Sequence, residues 1–194
     1  MNKNFVPPET SPRLTLVRYT GTAQVLHWTT AWLMFAVLPI AWVMTSLAHD
    51  NPNRDMLYLM HKSIGVTILV LTAIRIVWRA SHRAPILPAT MRGWEVAIAK
   101  LSHWLLYAIL LIMPISGYVT SAAGGHPVSF FYLFTLPSLP LDKGLAKFAE
   151  EVHLLTQWAV YVLIALHILA TSWHIVVRRD GILDRMLPRQ RNAA

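Results

Sequence analysis

The chain has 194 residues, enough for one domain or one compact membrane bundle. Hydrophobic residues make up 55% of it and charged residues only 13%, which favours a bilayer over water as the surrounding medium. The absence of cysteine excludes disulfides, iron–sulfur clusters, thiolate zinc sites, a cysteine nucleophile and a covalently attached c-type haem.

Four apolar stretches follow a polar N-terminal segment, residues 1–24. They cover about residues 25–46, 60–78, 101–122 and 153–177. Each is close to the about 20 residues that an α-helix needs to cross the hydrocarbon core. The sequence therefore predicts an all-α membrane protein whose four-helix transmembrane bundle occupies residues 25–177.

The distribution of basic residues predicts the orientation of the bundle. Of the 17 Lys and Arg residues, 13 lie in the N-terminal segment, around the second connection or in the basic tail, residues 178–194. The positive-inside rule then predicts that both termini are cytoplasmic. The net charge of +8 is explained by this topology and by attraction to anionic membrane lipid, so nucleic acid is not a predicted partner. A cleavable signal peptide is the alternative for the first stretch, but that stretch is too long.

The third connection, residues 123–152, contains paired glycines and three prolines that exclude a continuous helix. Residues 145–151 within it are predicted to form a short surface helix. Pro39 and Pro114 are predicted to kink their helices, and Gly117 to allow close helix packing. Four tryptophans are interpreted as a belt at the membrane interface: Trp28, Trp78, Trp104 and Trp173.

Nine histidines stand out in this charge-poor chain. Ionisable side chains are costly at membrane depth, so those in the helices are functional candidates. Six lie in or at the ends of the helices: His27, His61, His103, His153, His167 and His174. The other three are predicted to be surface residues: His49, His82 and His126.

The fourth helix presents three of these histidines on one stripe. His167 follows His153 by 14 residues, about 40° short of four turns, so the two rings share a face about 21 Å apart along the axis. His174 lies within about 20° of the same stripe. One helix thus offers imidazoles near both membrane surfaces.

The predicted depth of each histidine in the membrane pairs those of the fourth helix with histidines of the first and second helices. The second helix runs in the same direction as the fourth, which places His61 at the depth of His153; we call these the outer pair. The first helix runs the opposite way, which places His27 at the depth of His167; we call these the inner pair. Two facing imidazoles in an apolar bundle are typical of bis-histidine haem iron ligation, and two filled axial positions favour electron transfer.

Arg75 is the most deeply placed arginine of the second helix. It follows His61 by 14 residues, so it lies on the same stripe but in the inner half. No helix carries a carboxylate at that depth, and a haem propionate would supply the missing negative charge. The alternative is that Arg75 extends its guanidinium to the membrane surface.

His174 lies beside Arg178 and Arg179 near the cytoplasmic boundary, where it is a candidate for proton exchange. An ordinary interfacial histidine remains an equal alternative. His103 is a weaker candidate of the same kind.

Several motifs in order resemble the bacterial cytochrome b561 family, over about residues 22–189. The matching segments are Gln24–Trp28, His61–Gly65, Arg75–Arg79, His103 with Leu106–Tyr107, Pro114–Tyr118, the histidines of the fourth helix, and Arg178–Pro188. Family members often carry a second histidine shortly before the position of His103, whereas Ala97–Lys100 here contains none.

The resemblance implies a multi-pass protein of the bacterial inner membrane that holds two non-covalent haem b groups. Carried over by position, His27 and His167 are expected to bind the inner haem, and His61 and His153 the outer one. The family is thought to pass electrons between a donor and the quinone pool, which makes a quinone head group the expected partner for proton exchange at His174.

The resulting hypothesis is a di-haem cytochrome with possible quinone oxidoreductase activity and a possible electron-donor protein partner. One alternative is a haem-bearing membrane-anchor subunit of a larger oxidoreductase, docked at the outer loop near Glu150 and Glu151. A second is a haem-free metal carrier or transporter, which the four-helix size and the lack of intramembrane carboxylates disfavour. A homo-oligomer stays open.

Overall fold

The computed structural model describes residues 17–88 and 90–188. It contains four long helices: α1 (Gly21–Ser46), α2 (Arg54–Ser81), α3 (Gly93–Ala123) and α4 (Lys143–Trp173). A π-helical turn, His174–Arg178, extends α4, and a short 3₁₀ helix follows at Leu183–Met186. All four helices are long and apolar enough to cross a membrane, which confirms the predicted all-α transmembrane fold.

The helices extend beyond the predicted apolar stretches because their ends are fixed by polar caps. Thr20 Oγ1 accepts a hydrogen bond from the Ala23 N–H and begins α1 at Gly21. The Glu95 carboxylate accepts one from the Arg92 N–H, 2.7 Å away, at the start of α3. Hydropathy marks the part of a helix that lies in lipid and overlooks such polar turns.

The fourth helix shows the largest difference. Residues 145–151 form its first turns and not a separate surface helix, because Asp142 caps it at its true start by accepting from the Leu145 N–H. From Lys143 to Arg178 the helix has 36 residues. At 1.5 Å per residue it is about 54 Å long, so it projects well beyond a hydrocarbon core of about 30 Å.

Neighbouring helices pack against each other in chain order, most extensively α3 on α4 and α1 on α2. A small core of Val37, Ile64 and Ile68 joins α1 to α2. Many large apolar side chains face outward, among them Trp32 and Leu155, which are 72% and 74% exposed. This distribution is the expected one for a bundle whose outer surface contacts lipid.

A small antiparallel hairpin, Ser129–Phe130 with Phe134–Thr135, lies in the α3–α4 connection. The fully buried Ser63 of α2 fastens it: its Oγ accepts from the Phe131 N–H at 2.9 Å and donates to the Ser129 carbonyl at 3.3 Å. Since Ser63 is two residues from His61, the hairpin covers the end of the bundle beside the outer pair.

The segment after α4, residues 180–188, folds back across the other end of the bundle; we call it the strap. Four consecutive carbonyls in it accept hydrogen bonds from the start of α1 and the residues before it. The acceptors are Arg185, Met186, Leu187 and Pro188, and the donors are Arg18, Tyr19, Gln24 and Trp28. The strap thus ties α1 to the segment that follows α4.

Some predictions fall wholly or partly on residues outside the described ranges. Most of the N-terminal segment 1–24 and the last residues of the basic tail 178–194 lie there. The cytoplasmic placement of both segments therefore stays a prediction.

Candidate functional site

The structure brings together the histidines of the inner pair and those of the outer pair, which were predicted to lie at matching depths in the membrane. The ring centroids of His27 and His167 are 6.3 Å apart, and those of His61 and His153 are 6.2 Å apart. Two imidazoles on opposite sides of one metal ion, each bonded at about 2.0 Å, have their centroids about 6.3 Å apart. Both separations therefore suit a single metal held between the two rings.

The outer pair has one ring fixed by α3. His153 Nδ1 donates to the Met113 carbonyl at 2.9 Å, with Ser116 Oγ 3.2 Å away. Because a carbonyl only accepts, Nδ1 of a neutral His153 carries the hydrogen and Nε2 keeps its lone pair. A ligating histidine commonly has this arrangement. The buried Nδ1 of His61 has no hydrogen-bond partner among the described residues.

Gly117 makes room for this arrangement. A Cβ atom at this position would lie 2.9 Å from Cε1 and 3.1 Å from Nδ1 of His153. Only glycine therefore lets the imidazole lie directly on α3. The close packing predicted for Gly117 is a contact with a candidate ligand.

The inner pair has a different hydrogen-bond pattern. Arg75 Nη2 donates to His27 Nδ1 at 2.9 Å, and its guanidinium carbon lies 5.4 Å from the centroid of the Tyr107 ring. Since a guanidinium has no acceptor, Nδ1 of His27 must carry the lone pair, and a neutral ring carries its hydrogen on Nε2. In this arrangement the guanidinium takes the lone pair of Nδ1.

Two further residues lie around the inner pair. Trp28 makes an edge contact with His27, with ring centroids 5.3 Å apart, while its Nε1 donates to the strap carbonyl of Met186 at 2.9 Å. Trp28 is therefore more than an interfacial anchor. His103 lies on α3 with its ring centroid 5.9 Å from that of His167.

His174 lies apart from both pairs, in the π-helical turn. Its Nδ1 is 2.6 Å from Asp180 Oδ2, an ion pair when the imidazole is protonated. Arg179 and Gly181 take the left-handed conformation, which turns the chain so that Asp180 faces back toward α4. A cavity of about 230 Å³ adjoins the pair, lined by His174, Ile175, Arg179, Gly181, Ile182, Leu183 and Asp184.

Comparison with known proteins decides the family. The sequence profile of prokaryotic cytochrome b561 matches residues 18–189. This chain belongs to the prokaryotic cytochrome b561 family. Membership implies haem b and electron transport, and together with the four spans it makes the chain a multi-pass bacterial membrane protein.

Curated relatives agree along most of their length. Cytochrome b561 homolog 2 of Escherichia coli K12 is 31% identical over 172 residues, 88% of this chain and 91% of that protein. Probable superoxide oxidase CybB of Yersinia pestis is 29% identical over 82% of this chain and 92% of its own. Cytochrome b561 homolog 1 of Escherichia coli K12 is 27% identical over 90% of this chain and 99% of that protein.

The residues of this cytochrome b561 fit haem b as a cofactor. Within residues 17–88 and 90–188, no three histidine or carboxylate side chains converge closely enough to hold a metal ion by themselves. A pair of imidazoles supplies two ligands, and a porphyrin supplies the other four. The centroid separations of both pairs leave room for the iron between the two rings.

The sequence did not reveal the groups that orient this cytochrome's histidines. Met113 acts through its backbone carbonyl, which leaves no trace in a residue pattern. The partner of His174 had a weak signal, because the Asp180–Gly181 dipeptide that follows the fourth span favours a turn. The contact between Trp28 and the strap joins residues 158 apart, and no local sequence signal could have predicted it.

Proposed function

We propose that this chain is a di-haem cytochrome that moves electrons across the bacterial inner membrane, to or from the quinone pool. The matched centroid separations of the inner and outer pairs carry the proposal. His27 and His167 hold one haem, and His61 and His153 hold the other. A bound haem would supply a one-electron centre at each pair, and two histidines for each haem would favour electron transfer over oxygen binding.

In this proposal the two centres lie one above the other along α4. His153 and His167 of α4 are 14 residues apart, which corresponds to about 21 Å along the helix axis. The protein contributes the imidazoles, an apolar surrounding and the positive charge of Arg75. Arg75, which contacts His27, would supply the positive charge that offsets a haem propionate at the inner pair.

His174 and Asp180 form the proposed site of proton exchange with a quinone. A hydrogen-bonded imidazole and carboxylate can pass a proton to a reduced quinone oxygen or receive one from it. The adjoining cavity is smaller than the about 300 Å³ at which pockets for whole drug-sized ligands begin, so it suits a head group whose tail lies in lipid.

A pyridine haemochromogen assay on the detergent-purified chain tests the proposal. We expect two haem b per chain, with His153→Ala removing the outer one and His167→Ala the inner one. His126→Ala, in an exposed connection, is the control and should retain both. A wild-type chain with one haem or none would contradict the di-haem assignment.

Two versions of this function differ in the electron donor. One relative is named a probable superoxide oxidase, so superoxide is a candidate donor for this chain as well. The alternative is a donor subunit docked near Glu150 and Glu151, with this chain as its membrane anchor. Reduction of the purified haems by superoxide alone favours the first version, and co-purification of a second redox polypeptide favours the second.

A further inference from the structure

The inner site holds three imidazoles. Besides His27, His103 also lies beside His167, and its centroid separation of 5.9 Å is close to the 6.2 and 6.3 Å of the two assigned pairs. Since no three such side chains converge on one point among the described residues, at most two of these rings can bind one metal ion at a time.

The hydrogen-bond patterns distinguish His103 from His27. His103 Nδ1 donates to the Ala99 carbonyl at 2.7 Å, so its Nε2 keeps the lone pair. His153 of the outer pair has the same pattern toward Met113. In contrast, Arg75 occupies Nδ1 of His27, which leaves the hydrogen of a neutral ring on Nε2.

We propose that His103 is a second inner-site ligand, able to hold the haem iron together with His167 in place of His27. This inference rests on the proposed haem function. The carbonyl of Ala99, one helical turn before His103, fixes the hydrogen on Nδ1 and leaves Nε2 with its lone pair. When Arg75 holds His27, His103 is the imidazole already in the ligating tautomer.

The experiment compares the full chain with His27→Ala, His103→Ala and the double variant, all purified in detergent. Haem content, the low-spin electron paramagnetic resonance signal and carbon monoxide binding by the reduced protein are measured. Carbon monoxide binds only where an axial position is open. We expect His27→Ala to retain both haems, a low-spin inner signal with shifted g values, and no carbon monoxide binding. The double variant should bind carbon monoxide at the inner haem or lose that haem.

A matched control removes a second histidine far from the site. His27→Ala combined with His49→Ala, in the exposed α1–α2 connection, should behave as His27→Ala does alone. If His27→Ala does not accumulate, His27→Gln, which keeps a hydrogen-bonding partner for Arg75, is measured in its place.

The outcomes separate this inference from the proposed function. The role of His103 is overturned if His27→Ala loses the inner haem to the same extent as the double variant does. It is also overturned if His27→Ala gains carbon monoxide binding to that extent. A wild-type chain without haem b overturns the proposed function itself.

Discussion

Arg75 and His27 form a hydrogen-bonded pair, with Nη2 of the guanidinium 2.9 Å from Nδ1 of the imidazole. The contact joins α2 to α1 beside the ring of His167, the candidate ligand on α4. It also places a fixed positive charge next to the inner site, within reach of the Tyr107 ring. The inner pair therefore differs electrostatically from the outer pair, where Lys62 extends its ammonium to the Pro127 carbonyl.

Replacing this charge should alter one haem and not the other. In Arg75→Leu, loss of the positive charge disfavours the reduced haem, so we expect the inner reduction potential to fall by tens of millivolts. Two unit charges about 8 to 16 Å apart interact by about 1 to 2 kcal/mol at an effective dielectric constant of about 20. A spectroelectrochemical titration measures both potentials. Arg79→Leu, at a more exposed position, is the control, and an equal fall in the two variants would contradict the assignment.

Gly117→Ala should damage the outer site selectively. The new methyl group would meet Cε1 of His153 at 2.9 Å, so the imidazole must shift from its place on α3. We expect loss of the outer haem, or a changed low-spin signal from it, with the inner haem unchanged. The cost of such overpacking is about 1–3 kcal/mol.

The control for this change is Gly93→Ala, at the exposed start of the same helix. Nothing lies within 4 Å of a Cβ atom there, and alanine favours helix more than glycine does. Haem content should be unchanged in Gly93→Ala. If both variants retain two haems with unaltered spectra, His153 does not lie on Gly117 in the working protein.

Ser63→Ala should loosen the hairpin over the outer pair. The Phe131 N–H would lose its acceptor and the Ser129 carbonyl its donor, and a buried group without a partner costs about 1–3 kcal/mol. Hydrogen exchange of the Phe131 amide should become faster. Ser46→Ala is the control, because that exposed hydroxyl donates only to Val43 in its own helix. Unchanged exchange would show that packing alone holds the hairpin.

The strap can be tested by shortening the chain. A chain ending at Arg179 lacks the four carbonyls that accept from the start of α1, whereas one ending at Pro188 keeps them. We expect the shorter chain to unfold at a lower temperature and to show a disturbed inner haem, because Trp28 beside His27 loses its acceptor. Equal behaviour of the two truncated chains would contradict this role.

The sequence predicted the four spans and the spatial pairing of their histidines because both follow from helix periodicity. The 14-residue offset between His153 and His167 is set by covalent geometry, and opposite chain directions place His27 and His61 at matching depths. The propionate partner of Arg75 stays a prediction. The contacts of its guanidinium with the His27 imidazole and the Tyr107 ring could not be read from the charge pattern, because neither partner is charged in that pattern.

The features that the sequence did not predict depend on contacts between distant segments. Ser63 gives no sign, within α2, that it will bond a hairpin 66 residues later. The extra turns of α4 depend on Asp142, which caps the helix through a local hydrogen bond. Asp142 lies before the apolar stretch, so hydropathy did not reveal it. Hydropathy reports where lipid is, and these polar contacts lie at its edges.

The strap has a consequence for biosynthesis. Arg18 and its acceptor Leu187 are 169 residues apart, so the first helix leaves the ribosome long before the carbonyls that fasten it exist. His27 thus gains its final surroundings only after the strap has been translated. A nascent chain arrested after its fourth span would contain every candidate ligand and still lack the inner site's closing contacts.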